Sequence, residues 1–192
     1  MNITITKDQN PRAPRTFWVD ALSEPNIIYR SNFAGREITD PKNPKRIWNA
    51  EGRRNFCFVI PDEYVDDLIA RKWPVKKSAT REGEEPIYYV AAKVVFRTNP
   101  STGAAEPEIH KFYGLEDRNP ITITDMNAAD LDKQVIIGAR FAINESKDFY
   151  VNSAGEEYKT LYMNYGEFYV QESNKFKARW YQEMSDPEEE YE

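Results

Sequence analysis

The sequence predicts a mainly β protein, in which a small antiparallel β-barrel carries one prominent amphipathic α-helix. Several short segments are rich in aromatic and β-branched residues and end at Pro or Gly, as β-strands do. One segment, residues 62–72, repeats its apolar residues at helical spacing. Long segments of turn composition separate the strands, whereas parallel sheets alternate strands and helices regularly, so an antiparallel arrangement is favoured.

The segments predicted as strands are residues 27–33, 53–60, 87–97, 134–143 and 161–170. Weaker candidates are residues 108–114 and 121–124. Residues 34–52 contain two prolines and two glycines, which is typical of a long loop or a β-hairpin. A short helical turn at 126–133 and a hairpin tip at 152–155 complete the prediction.

The predicted helix has clear start and stop signals. Asp62 and Glu63 suit its N-terminus, and Arg71 suits its C-terminus before Pro74. Its apolar stripe is predicted to contain Tyr64, Val65, Leu68 and Ile69. The helix therefore follows the second predicted strand and packs one face on the barrel.

Alternation along the strands separates a core face from an outer face. The predicted core side chains are Phe56, Phe58, Ile60, Tyr88, Val90, Ala92, Val94, Phe96, Val135, Ile137, Ala139, Phe141 and Ile143. The predicted outer side chains are Arg53, Asn55, Cys57, Tyr89, Lys93, Arg97 and Arg140. Several strands thus place a cation on the face away from the core.

We expect three parts along the chain. Residues 1–25 contain three prolines and are predicted as an extended N-terminal arm. Residues 26–172 form the folded domain. Residues 173–192 turn polar and then acidic, which is typical of a tail without a packed core.

The charge is divided unevenly along the chain. Residues 1–81 have a net charge of +5 and residues 82–192 a net charge of −11, which gives −6 in total. Residues 30–54 alone hold seven basic and three acidic side chains. A local basic strip can bind phosphates in a protein that is acidic as a whole, because the field is screened within about 10 Å in physiological salt.

The basic strip is the strongest functional signal. Its cations are interleaved with Tyr29, Phe33 and Trp48, and single-strand binding uses this mixture, with cations along the backbone and aromatic faces on bases. Trp48 lies in a basic, polar segment, although a tryptophan folded back on the core is the alternative. The candidate DNA-binding residues are Arg30, Phe33, Arg36, Lys42, Lys45, Arg46, Trp48, Arg53, Arg54, Tyr89, Lys93, Arg97 and Arg140.

Several other classes of protein lack support in the sequence. The single histidine, His110, is far in sequence from the single cysteine, Cys57, and structural zinc needs four Cys or His ligands. There is no GxGxxG or P-loop motif, so no cofactor is expected. No apolar run approaches the roughly 18 residues of a membrane helix, and the first residues do not resemble a secretory signal. We expect an intracellular, non-enzymatic protein.

One catalytic pattern remains as an alternative. Asp148, Glu157 and Lys159 straddle the predicted hairpin tip and resemble the acidic and Glu-x-Lys residues of metal-dependent nucleases. Lys147 stands where those enzymes usually have proline. The simpler interpretation is a solvated β-turn. The predicted helix also has an acidic face with Asp62, Glu63, Asp66 and Asp67, which could bind a cation. A solvated face near the favourable N-terminal dipole of the helix is the simpler interpretation.

The central part of the chain resembles the phage-type single-stranded DNA-binding proteins with an OB fold. The resemblance rests on Asn32-Phe33 with Gly35-Arg36, on the segment Asn-x-Glu-Gly-x-Arg-Asn-Phe-Cys at 49–57, on the helix that ends at Trp73, and on the strand from Pro86 to Phe96. It covers roughly residues 27–170. Two departures are a longer, more basic segment at 37–47 and a C-terminus that lacks the Pro-Phe tip of bacterial relatives.

The resemblance implies an OB-like β-barrel that coats single-stranded DNA during phage replication and recombination, in the cytoplasm of the infected host. By analogy the acidic tail would recruit phage or host proteins, and its candidate residues are Asp186, Glu188, Glu189, Glu190, Tyr191 and Glu192. Self-association is left open. The alternative from another class is a phage inhibitor whose acidic half contacts host proteins.

Overall fold

The structure is a computed structural model and describes residues 1–78, 81–107, 110–114 and 120–171. The predicted tail at 173–192 lies outside the described residues. The strands of the N-terminal half are β1 (Thr4–Lys7), β2 (Thr16–Ala21), β3 (Ile28–Asn32), β4 (Ile38–Asp40), β5 (Asn43–Asn49), β6 (Asn55–Ile60), β7 (Lys76–Lys77) and β8 (Tyr88–Lys93). They are followed by β9 (Phe96–Thr98), β10 (Ala105–Pro107), β11 (His110–Gly114), β12 (Pro120–Ile121), β13 (Val135–Val151) and β14 (Glu157–Gln171). The helices are α1 (Asp62–Ala70) and α2 (Ala128–Leu131).

The main sheet is mixed and open. Its strands follow the order β1-β2-β13-β14-β8-β6-β3, while β7, β11 and β12 pair beside this path. Most neighbours are antiparallel, but β14 runs parallel to β8 and β11. The hairpins β4–β5 and β9–β10 form separate small sheets. The mainly β class is confirmed, whereas the predicted closed barrel is wrong, because no pairing among the described strands joins β1 to β3.

The first 25 residues belong to the sheet. β1 pairs with β2, and β2 pairs with β13 from Ala21–Ala139 to Thr16–Asn144. Ile5, Val19 and Ala21 are buried. The proline-containing segment predicted as an arm is therefore a hairpin whose alternating apolar residues join the core.

Aromatic side chains fill the centre of the core. The Phe56 ring packs edge-on against Phe141 with 5.3 Å between centroids, and Phe58 lies 5.0 Å from Phe141. The predicted core positions in β6 and β8 are confirmed as buried, apart from Tyr88 and Phe96, which pack half-buried at the margin.

Strand β13 corrects part of the predicted alternation. Its pairing with β14 shifts register between Ile136 and Gly138, where the strand bulges. Ile136 is consequently buried, Val135 is exposed and Ile137 is half-buried. Because one extra residue reverses the parity of a strand, strict alternation placed Val135 and Ile137 on the wrong face.

Helix α1 confirms the predicted amphipathic helix. Val65 and Leu68 are buried, although Ile69 of the predicted stripe is exposed. The chain beyond the helix is fixed by Glu145, a buried carboxylate that accepts hydrogen bonds from Arg71 Nε at 2.8 Å and Trp73 Nε1 at 2.7 Å. No helix in the described part of the chain is long and apolar enough to cross a membrane.

Candidate nucleic-acid interface

The side of the sheet away from the core, here called the outer face, brings residues from four strands together. Arg30 lies opposite Cys57, and Cys57 lies opposite Ala91 on β8. In the next row Lys93 lies between Asn55 and Tyr162. Since residues directly opposite each other project to the same side of a sheet, these side chains share one surface.

Tyr29, Arg30 and Tyr89 form a compact cluster at one end of this surface. The Tyr29 and Tyr89 rings stack with 4.5 Å between centroids, and Arg30 Nη2 donates a hydrogen bond to Tyr89 Oη at 3.0 Å. Tyr89 is only 9% exposed, whereas Tyr29 is 38% exposed. Tyr29 therefore offers a ring face to solvent, and Tyr89 supports it from beneath.

A second cation–aromatic pair lies across the sheet. Lys93 Nζ is 5.7 Å from the centroid of the Tyr162 ring, and Tyr162 is 39% exposed. We call the set Tyr29, Arg30, Tyr89, Lys93 and Tyr162 the outer-face patch. It offers aromatic rings to bases and cations to phosphates within one surface.

Cys57 lies in the floor of the outer-face patch. Burial raises the pKa of its thiol, and the nearby Arg30 and Lys76 cations only partly oppose that effect. The thiol is neutral at physiological pH and therefore a poor nucleophile. Cys57 is thus on the predicted outer side of its strand, but its side chain is buried there.

The β4–β5 hairpin carries the basic segment, and we call its exposed side chains Lys42, Lys45, Arg46 and Trp48 the basic hairpin. Trp48 is 55% exposed, so it is not folded back on the core. Within the described residues, these cations form one ion pair, a loose one of 3.9 Å from Arg46 Nη1 to Asp40 Oδ2. These cations lie open to an anionic ligand.

Asparagine side chains fix the base of the hairpin to the outer face. Asn49 Nδ2 donates to the Arg36 carbonyl at 2.8 Å, and Asn55 Nδ2 donates to Asn49 Oδ1 at 2.9 Å. Asn32 binds both the backbone N–H and the carbonyl of Arg36. Because Asn55 also lies opposite Lys93, the basic hairpin and the outer-face patch adjoin each other. Arg36 and Arg53 are exposed at this junction.

Four candidate residues lie elsewhere. Phe33 is fully buried among core phenylalanines, which corrects its assignment as a stacking side chain. Arg54 is half-buried over the Phe96 ring and donates to the Phe33 carbonyl, so its guanidinium has a structural partner. Arg97 is on β9, opposite Glu106 in the β9–β10 hairpin. Arg140 packs 4.2 Å from the Trp18 ring centroid, and its Nε lies 3.8 Å from Asp20, on the far half of the sheet.

The nuclease-like pattern does not assemble. Lys159 Nζ donates to the carbonyls of Ser146 and Lys147, at 3.0 and 2.9 Å, and lies over the Phe149 ring. Among the described residues, no three His, Cys, Asp or Glu side chains are grouped to hold a metal ion. Lys159 of β14 thus binds the backbone of β13 and stabilises the bulged β13–β14 hairpin.

Sequence reasoning missed Tyr162 and Lys76. Tyr162 alternates with the buried Leu161 and Met163, so the pattern of β14 contained the signal. Lys76 belongs to a strand of two residues, which is too short for any periodic pattern.

Residues 16–112 match the family model described as "Putative phage ssDNA-binding domain", which is half of the chain. The chain belongs to this family. The matched region contains the basic hairpin and every member of the outer-face patch except Tyr162. No curated protein matches the chain.

Two solved structures are similar to the chain. One is the single-stranded DNA-binding protein from bacteriophage Enc34 in complex with ssDNA, with 8% identity, a TM-score of 0.44, and coverage of 89% of this chain and 97% of that one. The other is a C-terminal truncation of the same phage protein, with 9% identity, a TM-score of 0.41, and coverage of 90% and 96%.

Proposed function

We propose that this protein binds and coats single-stranded DNA without sequence readout, through the outer-face patch and the basic hairpin. Membership of the phage family supports this proposal. The observation that carries it is the exposed ring of Tyr29, which lies against Arg30 and near cations that lack close ion-pair partners in the described residues.

The chemistry of the surface favours single strands over duplex. An aromatic ring stacks on any base whose face is accessible, and each such contact contributes about 1–3 kcal/mol. In a duplex those faces are covered by neighbouring base pairs. The cations follow the phosphates whatever the sequence, so affinity falls as salt rises.

The biological setting belongs to the same proposal. A coating protein of this family would act in replication or recombination of phage DNA in the host cytoplasm. The acidic segment with Asp186, Glu188, Glu189, Glu190, Tyr191 and Glu192 would recruit partner proteins, and its concentrated negative charge supports this role. We keep residues 26–172 as the proposed DNA-binding domain, and the pairing of β2 with β13 supports including residues 16–21 in it.

A direct titration tests the function. Fluorescence anisotropy with labelled oligo-dT and with a duplex of equal length should show much tighter binding of the single strand. The same samples with Mg²⁺, run on a denaturing gel, should keep the oligonucleotide intact. Equal affinity for the two ligands would contradict the proposal, and cleavage would revive the nuclease alternative.

A further inference from the structure

We infer that the bound strand continues from the outer-face patch onto Lys76 and ends there. The inference rests on the proposed function and extends its contact surface to a segment outside the basic strip of 30–54. Lys76 and its neighbour Lys77 form β7, in the connection between α1 and β8.

The pairing of β7 places Lys76 against the patch. Lys76 lies opposite Tyr89, and Lys77 lies opposite Tyr88. Lys76 is near enough to Cys57 to influence its thiol, as Arg30 does from the other side. Lys77 Nζ lies 5.9 Å from the centroid of the Tyr88 ring, and Tyr88 packs against the core, so Lys77 projects to the side of the sheet away from the patch. Lys76 is therefore the next cation beyond Arg30 across the floor of the patch.

The backbone that carries the two lysines is fixed at both ends. On one side Trp73 is buried and hydrogen-bonded to Glu145, and Val75 N donates to the Trp73 carbonyl at 2.8 Å. On the other side Ser78 N donates to the Ile87 carbonyl at 2.8 Å, and Ile87 N donates to Ser78 Oγ at 2.9 Å. Little backbone order has to be gained when a ligand binds.

The charges of the two lysines are not neutralised by the protein. Both side chains are exposed, and no ion pair to either is present in the described part of the chain. Arg71, only a few residues earlier, is held by Glu145 instead. Lys76 is a fixed, exposed cation beside an aromatic surface, which suits a phosphate of a strand that leaves that surface.

The segment between β7 and β8 has a net negative charge. It carries Glu82, Glu84 and Glu85, all exposed, with Arg81 as its single cation. A phosphate backbone would be repelled there, so the contact surface should end at Lys76. The basic hairpin would lie at the opposite end of the bound strand.

Salt dependence measures the contact directly. For single strands the slope of log affinity against log salt is about −0.7 per neutralised phosphate, so Lys76→Gln should make the oligo-dT slope less steep by about 0.7. The matched control is Lys77→Gln, which removes the neighbouring exposed lysine on the other side of the sheet and should change the slope far less. Thermal melting checks that both variants fold.

Two further measurements separate the outcomes. Affinity should reach its plateau at a shorter oligo-dT length in the Lys76→Gln variant than in the wild type. Glu84→Gln with Glu85→Gln should raise affinity for long oligo-dT at low salt, which also tests the end of the path if the lysine variant does not fold. A lysine variant that matches its control in slope and plateau overturns the inference while wild-type binding stands. Absence of wild-type binding instead defeats the proposed function.

Discussion

The Tyr29 ring covers the Tyr89 ring, with 4.5 Å between their centroids and 24° between their planes. This stack assigns different roles to two aromatic residues on the same surface. Tyr29, at 38% exposed, is the ring of the pair that a base can reach, whereas Tyr89, at 9% exposed, is largely covered. Arg30 lies 5.3 Å from the centroid of each ring and joins the pair.

Replacing Tyr29 tests that assignment. Tyr29→Ala should weaken oligo-dT binding by about 1–3 kcal/mol, the range found when a stacking aromatic is removed. Tyr150→Ala removes a comparably exposed tyrosine on the β13–β14 hairpin and should leave affinity unchanged. Anisotropy titrations of both variants measure the affinity for oligo-dT. Equal losses of affinity in the two variants would show that Tyr29 does not stack on a base.

Trp48 is the second stacking candidate. Trp48→Ala should weaken binding by about 1–3 kcal/mol, because a large exposed ring in a cationic hairpin can stack on a base. Its stability to denaturant should stay close to that of the wild type. Ile47→Ala, at the adjacent exposed position, is the control. A loss of stability with unchanged affinity would mean that Trp48 serves the fold.

Phe33 should behave in the opposite way. Phe33→Ala removes a fully buried ring between Phe56 and Phe112 and should lower the free energy of unfolding by about 3–5 kcal/mol. Urea unfolding followed by circular dichroism measures this. Affinity for oligo-dT, taken where the variant is still folded, should change little; a selective loss of affinity would return Phe33 to the interface.

The acidic end of the chain gives a further prediction. A tethered anionic segment competes with DNA for a cationic surface at high effective concentration. Deletion of residues 185–192 should therefore raise oligo-dT affinity modestly, most visibly at low salt, and abolish capture of any partner that reads the tail. Titrations and pull-downs with and without the segment decide this, and no change in either would leave solubility as its role.

Much of this arrangement could be predicted from local sequence patterns. Phe56 and Phe58 in β6, and Val90 and Ala92 in β8, recur at every second position, and their burial follows from the two-residue period of a strand. Asp62, Pro74 and the apolar residues between them define α1. The outward position of Lys93 follows from the same period.

The remaining features depend on contacts that a local pattern does not contain. The bulge in β13 exchanges the faces of Val135 and Ile136, and the two-residue β7 gives Lys76 no pattern of its own. Pro11 and Pro14 lie in the connection between β1 and β2, whereas in the sequence alone they are typical of an unpaired, extended arm. An open sheet and a closed barrel have the same strand composition, so pairing between distant strands decides between them.

The central position of β13 and β14 has a consequence for how the chain folds. The hairpin β1–β2 reaches β8, β6 and β3 only through these two strands, which are among the last described residues in sequence. Contacts of such large sequence separation slow folding, because long loops must close first. A nascent chain released only as far as Phe112 would contain most of the cations that bind DNA but not the strands that join its two halves. Completion of the core must therefore wait until synthesis has passed residue 171.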